Sequence, residues 1–405
     1  MSFCYLFRQK LKKQKLSSGA AEQQREAVMT QDKSSMLRKV AVASAKQIIV
    51  KAGTRLVIDR DSIAKLVDGI ALLRESGHRV LLVTSGAVGM GMELSGMTHR
   101  PKQLAKKQAL AALGQTRLMS IYAEEAARHG FMVAQLLLTA ADLRNRSRYL
   151  NVMNCINSLW EQGVLPIVNE NDSVSVAELK FGDNDTLAGM LTSLTGAQMT
   201  ILLTTVDGLR GRNSDGTLGE RIPVVEKVTE KVKSLAGGTD NSEFSIGGMA
   251  SKLRAAELAT ASGAWLWIAD GREAGIMEQI LAGKDTGTLF LPGKHRVPGR
   301  KRWFSFFSRI SGVITVDDGA VRAICGHGGS LLPSGVVNVF GEFKRGDTVE
   351  IADKSGISFA RGLVNFDSDC CRNIIGKHSD ELPAILGSEA EAELIHRDNL
   401  VLLEQ

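Results

Sequence analysis

Cysteine is scarce in this chain, with five in 405 residues. Cys4, Cys155, Cys325, Cys370 and Cys371 are odd in number and form no Cys-x-x-Cys pair, which excludes a disulfide framework and a thiolate zinc site. A reducing, cytoplasmic setting is expected. No apolar run is long enough to cross a bilayer, and the N-terminus has no continuous hydrophobic stretch of signal-peptide type, so no membrane association is expected. The GxxxxGK[ST] spacing of a P-loop is missing, so any phosphate site must be of another design. Net charge is absent from most of the chain. The formal excess of +6 equals that of residues 1–40, which hold nine Lys/Arg against three Asp/Glu.

That basic stretch, "FRQKLKKQKLSSGAAEQQRE", has no sustained apolar period and reads as a disordered or weakly helical arm over 1–45. Three explanations compete: a solvated tail, an organelle-targeting peptide of the basic kind, or a start assigned too early, with Met29 or Met36 the true start. The first and third are preferred, and residues 1–40 are expected to be expendable for turnover.

What is present is a soluble, globular composition, 44% hydrophobic and 23% charged. From about residue 46, short β-branched runs alternate with helical ones, as in an α/β domain with a mainly parallel sheet. "QIIVK" (47–51), "RVLLV" (79–83), "MVAQLLL" (132–138), "VLPIV" (164–168), "MTILLT" (199–204) and "AWLWIA" (264–269) read as buried strands. "KAGTR", "TSGAVG", "NENDSV" and "TTVDG" follow four of them, at carboxyl ends where open parallel sheets bind ligands. Function is therefore expected along one sheet edge. After a Pro/Gly and basic linker, "LPGKHRVPGRKRW" (291–303), the texture changes to short alternating strands and turns. The expected organisation is an arm over 1–45, an α/β domain over 46–298 and a small β-rich domain over 304–405.

Several stretches could carry chemistry. Lys51 runs into "KAGTR", where Gly53 allows close backbone approach to a phosphate. "TSGAVGMG" offers backbone donors to an anion. In "VNENDSV", Asn169, Asn171 and Asp172 give an array of donors and acceptors too dense for a turn alone. "KFGDNDTLAG" sets Asp183, Asn184 and Asp185 before a helix that needs only one cap; Asp185 suits that cap. "SIGGMASKLRAAELA" places Lys252 in the first turns of a strong helix, beside its electropositive end. Two lysines, glycine-rich turns and carboxylates between them suit phosphoryl transfer, where catalysis is mostly positioning and charge stabilisation.

The ordered set "IIVKAGT", "LLVTSGAVGMG", "KKQALAALGQTRLM", "LLLTAAD", "PIVNENDSV", "FGDNDTLAG" and "GGMASK" resembles the amino acid kinase family, and within it the glutamate 5-kinases. The C-terminal "KRWF", "GVITVDDGAVRAI", "GGSLLPSGVVNVFGEFKRGDTVEI", "ILG" and "IHRDNLVLL" resemble the PUA domain. The resemblance runs from about residue 46 to the C-terminus. It implies a three-layer sandwich with a mainly parallel sheet followed by a PUA domain. It also implies ATP- and Mg²⁺-dependent phosphorylation of the γ-carboxylate of L-glutamate to γ-glutamyl phosphate, the first step of proline biosynthesis.

By the same resemblance, Lys51 and Lys252 neutralise the transferred phosphoryl group and the leaving β-phosphate, and Asp185 orients the two ammonium groups. Ser85, Asp172 and Asn184 hold glutamate, with Asn169 and Asp183 in support. Lys51, Gly53, Thr204, Thr205, Gly247, Gly248, Met249, Ser251 and Lys252 line the nucleotide site. No side chain is assigned to the metal, which is bound largely through phosphate oxygens and water. Feedback inhibition by proline, a homo-oligomer and hand-over to glutamate-5-semialdehyde dehydrogenase are also implied.

One loop departs from the pattern. Relatives read Thr-Asp after the fifth strand, whereas this chain has Thr204-Thr205 and "VDGLRGRNSDG", leaving Asp207 as a substitute carboxylate or none. Arg55 also stands where a small polar residue is usual. A nucleic-acid-binding alternative, suggested by the PUA domain's occurrence in RNA-binding proteins, is disfavoured. Residues 301–405 hold 11 Lys/Arg against 15 Asp/Glu, whereas RNA binding draws on phosphate neutralisation.

Overall fold

The computed structural model describes residues 33–174, 183–213, 215, 217–236, 248–293, 310–378, 381–386 and 393–403. Residues 33–44 form helix α1, followed by strand β1 (Gln47–Ala52), α2 (Arg60–Glu75) and β2 (Arg79–Val83). Next come α3 (Ala87–Leu94), α4 (Leu104–Arg128), β3 (Val133–Leu138), α5 (Ala140–Arg144), α6 (Arg146–Glu161) and β4 (Leu165–Glu170). α7 (Asn184–Thr195) and β5 (Met199–Thr204) precede a hairpin of β6 (Arg210–Arg212) and β7 (Leu218–Arg221). β8 (Val224–Val225), α8 (Glu230–Ser234), α9 (Met249–Ala261), β9 (Trp265–Asp270), α10 (Ile276–Leu281) and β10 (Thr288–Phe290) complete this part.

Apart from the β6–β7 hairpin, its described strands form one sheet in the order β3-β4-β2-β1-β5-β9-β10-β8. The first six run parallel, and β10 reverses against β9. Because side chains alternate across a strand, each central strand feeds two cores. Ile49, Leu81, Val83, Val168 and Leu202 face one core with α6, α7 and α9. Ile48, Val50, Val80, Leu82, Ile167 and Ile201 face the other, with α1, α2, α4 and α10. This is the expected three-layer arrangement, and the six strands read from the sequence form within a residue or two of their expected bounds.

Residues 33–44, within the arm expected to be disordered or weakly helical, form a helix packed into the core. α1 is seated by Arg38, fully buried, whose guanidinium reaches the carbonyl oxygens of Thr286, Pro223 and Gly287 and the Asp285 carboxylate. It also stacks on Trp267, 4.8 Å from the ring centroid. Burial lowers the Arg38 pKa to about 10 despite Asp285. The rest of the arm, residues 1–32, lies outside the described residues, as do residues 294–303 of the expected linker.

Beyond residue 310 a second sheet forms, ordered β12-β11-β13-β14-β15. Its strands are β11 (Ile310–Val316), β12 (Val336–Gly341), β13 (Thr348–Ala352), β14 (Ser358–Leu363) and β15 (Leu400–Leu402). They close around their own core of Ile314, Val316, Val339, Val349, Ile351 and Phe359. Among the described residues no helix is long and apolar enough to cross a membrane.

Candidate active site

The carboxyl ends of β1, β2, β4, β5 and β9 share one edge of the large sheet, and the N-termini of α7 and α9 meet them there. Lys51 lies two residues beyond Ile49 and so projects toward the same face, over α7. Its register partners are Val83 on β2 and Leu202 on β5. Gly53 N–H donates to Leu203 C=O at 3.2 Å, tying the turn after β1 to β5.

Asp183, Asn184 and Asp185 divide in an unexpected way. The cap is Asp183, not Asp185: its carboxylate accepts from the Thr186 N–H at 2.8 Å. Both positions are acidic and only two apart, so cap preference alone does not separate them. Asp185, one step into the helix, turns inward and is 1% exposed. Lys51 Nζ stands 2.6 Å from its Oδ1 and Lys252 Nζ stands 3.0 Å from its Oδ2. The Ser251 hydroxyl donates to the same Oδ2 at 3.2 Å. Burial acts to raise the Asp185 pKa, but the two ammonium groups outweigh it and hold the carboxyl below its usual range. Lys252 is 6% exposed, not a solvated helix lysine.

A close helix crossing makes this triad possible. A Cβ on Gly189 would lie 2.9 Å from both the Cα and the carbonyl oxygen of Ala255, so α7 and α9 touch backbone to backbone. One turn earlier on each helix stand Asp185 and Lys252. Neither Gly189 nor Ala255 could be singled out from the sequence, because the meaning of a small helical residue is set by its partner.

A second group lies beside the triad. Asn184 Nδ2 donates to Thr84 C=O (2.6 Å), Ser85 Oγ (2.9 Å) and Asn169 Oδ1 (3.0 Å). Asn169 Nδ2 in turn donates to Gln115 Oε1 on α4 at 2.9 Å. Gly86, left-handed at φ 99°, caps α3 and turns the chain sharply after Ser85. Ser85, Asn169 and Asn184 are thus brought together as expected; Gln115 was not anticipated. Asp172 is half-buried in the turn after β4, its N–H bonded to Glu170 C=O at 2.9 Å.

On the other flank, Gly248 caps α9, with Met249 half-buried behind it; Gly247 lies outside the described residues. Thr204 ends β5 in register with Asp270 at the end of β9. Arg272 chelates Asp270, with Nη2–Oδ2 at 2.6 Å, and the same Nη2 donates to Thr205 C=O at 2.8 Å. The Asp270 carboxyl is held low chiefly by that hydrogen-bonded guanidinium. Asp207, the candidate substitute carboxylate, has both oxygens bonded to Arg210 at 3.1 and 2.7 Å. Arg55 is exposed.

Two cations gathered on one buried carboxylate at a glycine-lined sheet edge can neutralise a polyanion, and the neighbouring amides can orient a small polar molecule. Comparison with known proteins agrees. The amino acid kinase family profile matches residues 46–270, and the PUA domain profile matches residues 312–386. A glutamate 5-kinase from Moorella thermoacetica is 43% identical over 375 residues, covering 90% of this chain and 98% of its own. That of Syntrophotalea carbinolica is 41% identical over 372 residues, covering 90% and 100%. That of Desulfotalea psychrophila is 43% identical over 374 residues, covering 91% and 99%.

Proposed function

The chain belongs to the amino acid kinase family, with glutamate 5-kinases among its relatives across nearly their whole length, and on that premise we propose how its residues perform the reaction. The enzyme phosphorylates the γ-carboxylate of L-glutamate with ATP, giving γ-glutamyl phosphate and ADP in proline biosynthesis. A γ-carboxylate oxygen attacks the terminal phosphorus, the bond from that phosphorus to the β,γ-bridging oxygen breaks, and ADP departs with the electron pair. No general base is required, since the carboxylate is already ionised near neutral pH.

The observation that carries the residue assignment is the buried Lys51–Asp185–Lys252 triad. Both ammonium groups are held by one carboxylate, close enough to act on a single phosphoryl group. In this reading Lys51 and Lys252 neutralise charge on the transferred phosphoryl group and the β-phosphate, and Asp185 fixes their separation. Both Asp185 oxygens are engaged by lysines, and its role is assigned to them. Magnesium would accompany ATP and, when bound, would supply further charge neutralisation, with no side chain of this chain assigned to hold it. Thr204, Thr205, Gly53, Gly248, Met249 and Ser251 border the nucleotide, with Gly247 assigned to it from the sequence.

Ser85, Asn184 and Asp172 hold glutamate, Asp172 as counter-charge to the α-ammonium, with Asn169 in support. Asp183 serves through its cap. Proline, similar to a cyclised glutamate, inhibits by occupying the same pocket. A cytoplasmic homo-oligomer that passes its acyl phosphate to glutamate-5-semialdehyde dehydrogenase completes the proposal.

The test is ADP release with glutamate against aspartate, N-acetylglutamate, carbamate and a nucleoside monophosphate, with ATP and with GTP. Glutamate with ATP should give the highest kcat/KM. Equal or better turnover on another acceptor would overturn the assignment.

A further inference from the structure

Helix α4 contributes a buried amide that the reaction scheme does not use. Gln115 is 7% exposed, and its Oε1 accepts from Asn169 Nδ2 at 2.9 Å while its own Nε2 has no partner among the described residues. A buried donor left unpaired is costly, and an apolar residue of similar size would avoid that cost. The contact made by this amide among the described residues is therefore that of its oxygen.

The chain of amides that starts at Gln115 has a fixed polarity. The Glu170 N–H donates to Asn169 Oδ1 at 2.9 Å, and the Thr84 C=O accepts from Asn184 Nδ2 at 2.6 Å. A backbone N–H can only donate and a carbonyl can only accept, so flipping either asparagine would set like against like. With Asn169 Oδ1 also accepting from Asn184 Nδ2, the Asn169 Nδ2 must turn to an acceptor, and Gln115 Oε1 is that acceptor. The result is that Asn184 Oδ1 is left buried, with no donor among the described residues.

α4 is built to hold this contact. A Cβ on Gly114 would clash with the Ala87 carbonyl oxygen and the Gly91 nitrogen, so α3 and α4 cross at backbone contact immediately beside Gln115. Seven residues further, on the same helix face, Tyr122 bonds Thr84 Oγ1 at 2.7 Å. The helix thus grips the ends of both β2 and β4.

We propose that Gln115 is a positioning residue for the acceptor amino acid: by accepting from the Asn169 Nδ2 that the backbone contacts leave over, it holds the Asn169–Asn184 pair in place, with Asn184 Oδ1 presented to the substrate's α-ammonium. This rests on the reading of Asn184 as an acceptor-site residue.

The experiment compares wild type, Gln115→Met and Gln115→Glu in the full chain, measuring KM for glutamate and ATP, kcat, melting temperature, and preference for glutamate over glutarate, which lacks the α-ammonium. Gln115→Met should raise the glutamate KM about tenfold and shrink the preference to match, the scale of a hydrogen bond to a charged group, with ATP KM and melting temperature nearly unchanged. Gln115→Glu keeps an acceptor oxygen and should restore both quantities. An unchanged glutamate KM and preference in the Met variant would overturn the inference. So would an equal loss in the Glu variant, or a parallel rise in ATP KM. Should the Met variant fail to fold, the Glu variant decides: retained preference supports the role and lost preference refutes it. A wild type that ignores glutamate would instead bring down the acceptor assignment, and this inference with it.

Discussion

Lys252 Nζ lies 3.0 Å from Asp185 Oδ2, and the pair is buried at the start of two helices that touch one turn further on. Removing either partner leaves uncompensated charge. Lys252→Ala should lower kcat by roughly a hundredfold or more, the scale seen when one transition-state charge stabiliser is lost. Asp185→Asn should lower kcat comparably and also cost about 3 kcal/mol of stability, because two lysines are left facing each other without a counter-charge. Steady-state kinetics and thermal melts of the two variants check this, and a stable, active Asp185→Asn enzyme would refute it.

The depressed Asp185 pKa has a signed consequence. A carboxyl whose folded pKa lies below its unfolded value, near 3.9, adds stability that is fully present above that value. The contribution is lost as pH falls through the folded pKa. Wild type should therefore lose melting temperature more steeply below about pH 4 than Asp185→Asn does. Parallel curves for the two proteins would show that Asp185 contributes nothing to acid sensitivity.

Gly189 is a more remote test of the same triad. A methyl group there meets the Ala255 backbone at 2.9 Å, so Gly189→Ala must push α7 and α9 apart and carry Lys252 away from Asp185. The expected outcome is a loss of about 1–3 kcal/mol, as for overpacking, with a fall in kcat larger than any rise in glutamate KM. Unchanged kcat in a folded variant would show that the helices accommodate the methyl elsewhere.

Arg38 supplies a test at the opposite end of the chain. Its guanidinium is fully buried against carbonyl oxygens and Asp285, so Arg38→Met should destabilise the protein by about 3 kcal/mol, as when one partner of a buried pair is removed. Deleting residues 1–40 removes Arg38 and should lower the melting temperature at least as far, a cost separate from the expectation that this stretch is expendable for turnover. A truncated protein that melts like the full chain would show that the Arg38 contacts contribute nothing to stability.

Proline provides a check on the shared acceptor pocket. Added proline should raise the apparent glutamate KM in proportion to its concentration while leaving kcat at saturating glutamate unchanged. Inhibition indifferent to glutamate would place proline elsewhere.

The strands were legible because a parallel strand buried on both faces is a nearly unbroken apolar run, as "RVLLV" and "MTILLT" are. Lys51, Asp185 and Lys252 were identifiable as candidates through the resemblance, yet their meeting depends on Gly189 and Ala255, whose importance appears only when two helices cross. Asp183 and Asp185 were exchanged as cap because local chemistry permits either. Arg38 was hidden inside a count of basic residues. Its carbonyl and carboxylate partners lie 185 to 249 positions further along the chain, and nothing near it in sequence announces them. Gln115 was hidden in the same way, as one polar position on a long amphipathic helix.

Asn184 and Asp185 are consecutive residues of a single helical turn, one turned to the amides and the other to the lysines. Any tilt of α7 shifts both together, so neither end of the reaction can be adjusted independently. The turn works as a fixed gauge. On the proposed acceptor site, a substrate gripped at its amino end delivers its far carboxylate to the phosphoryl group only if the number of methylenes between them matches that span, and a shorter homologue should turn over poorly even when it is tightly bound.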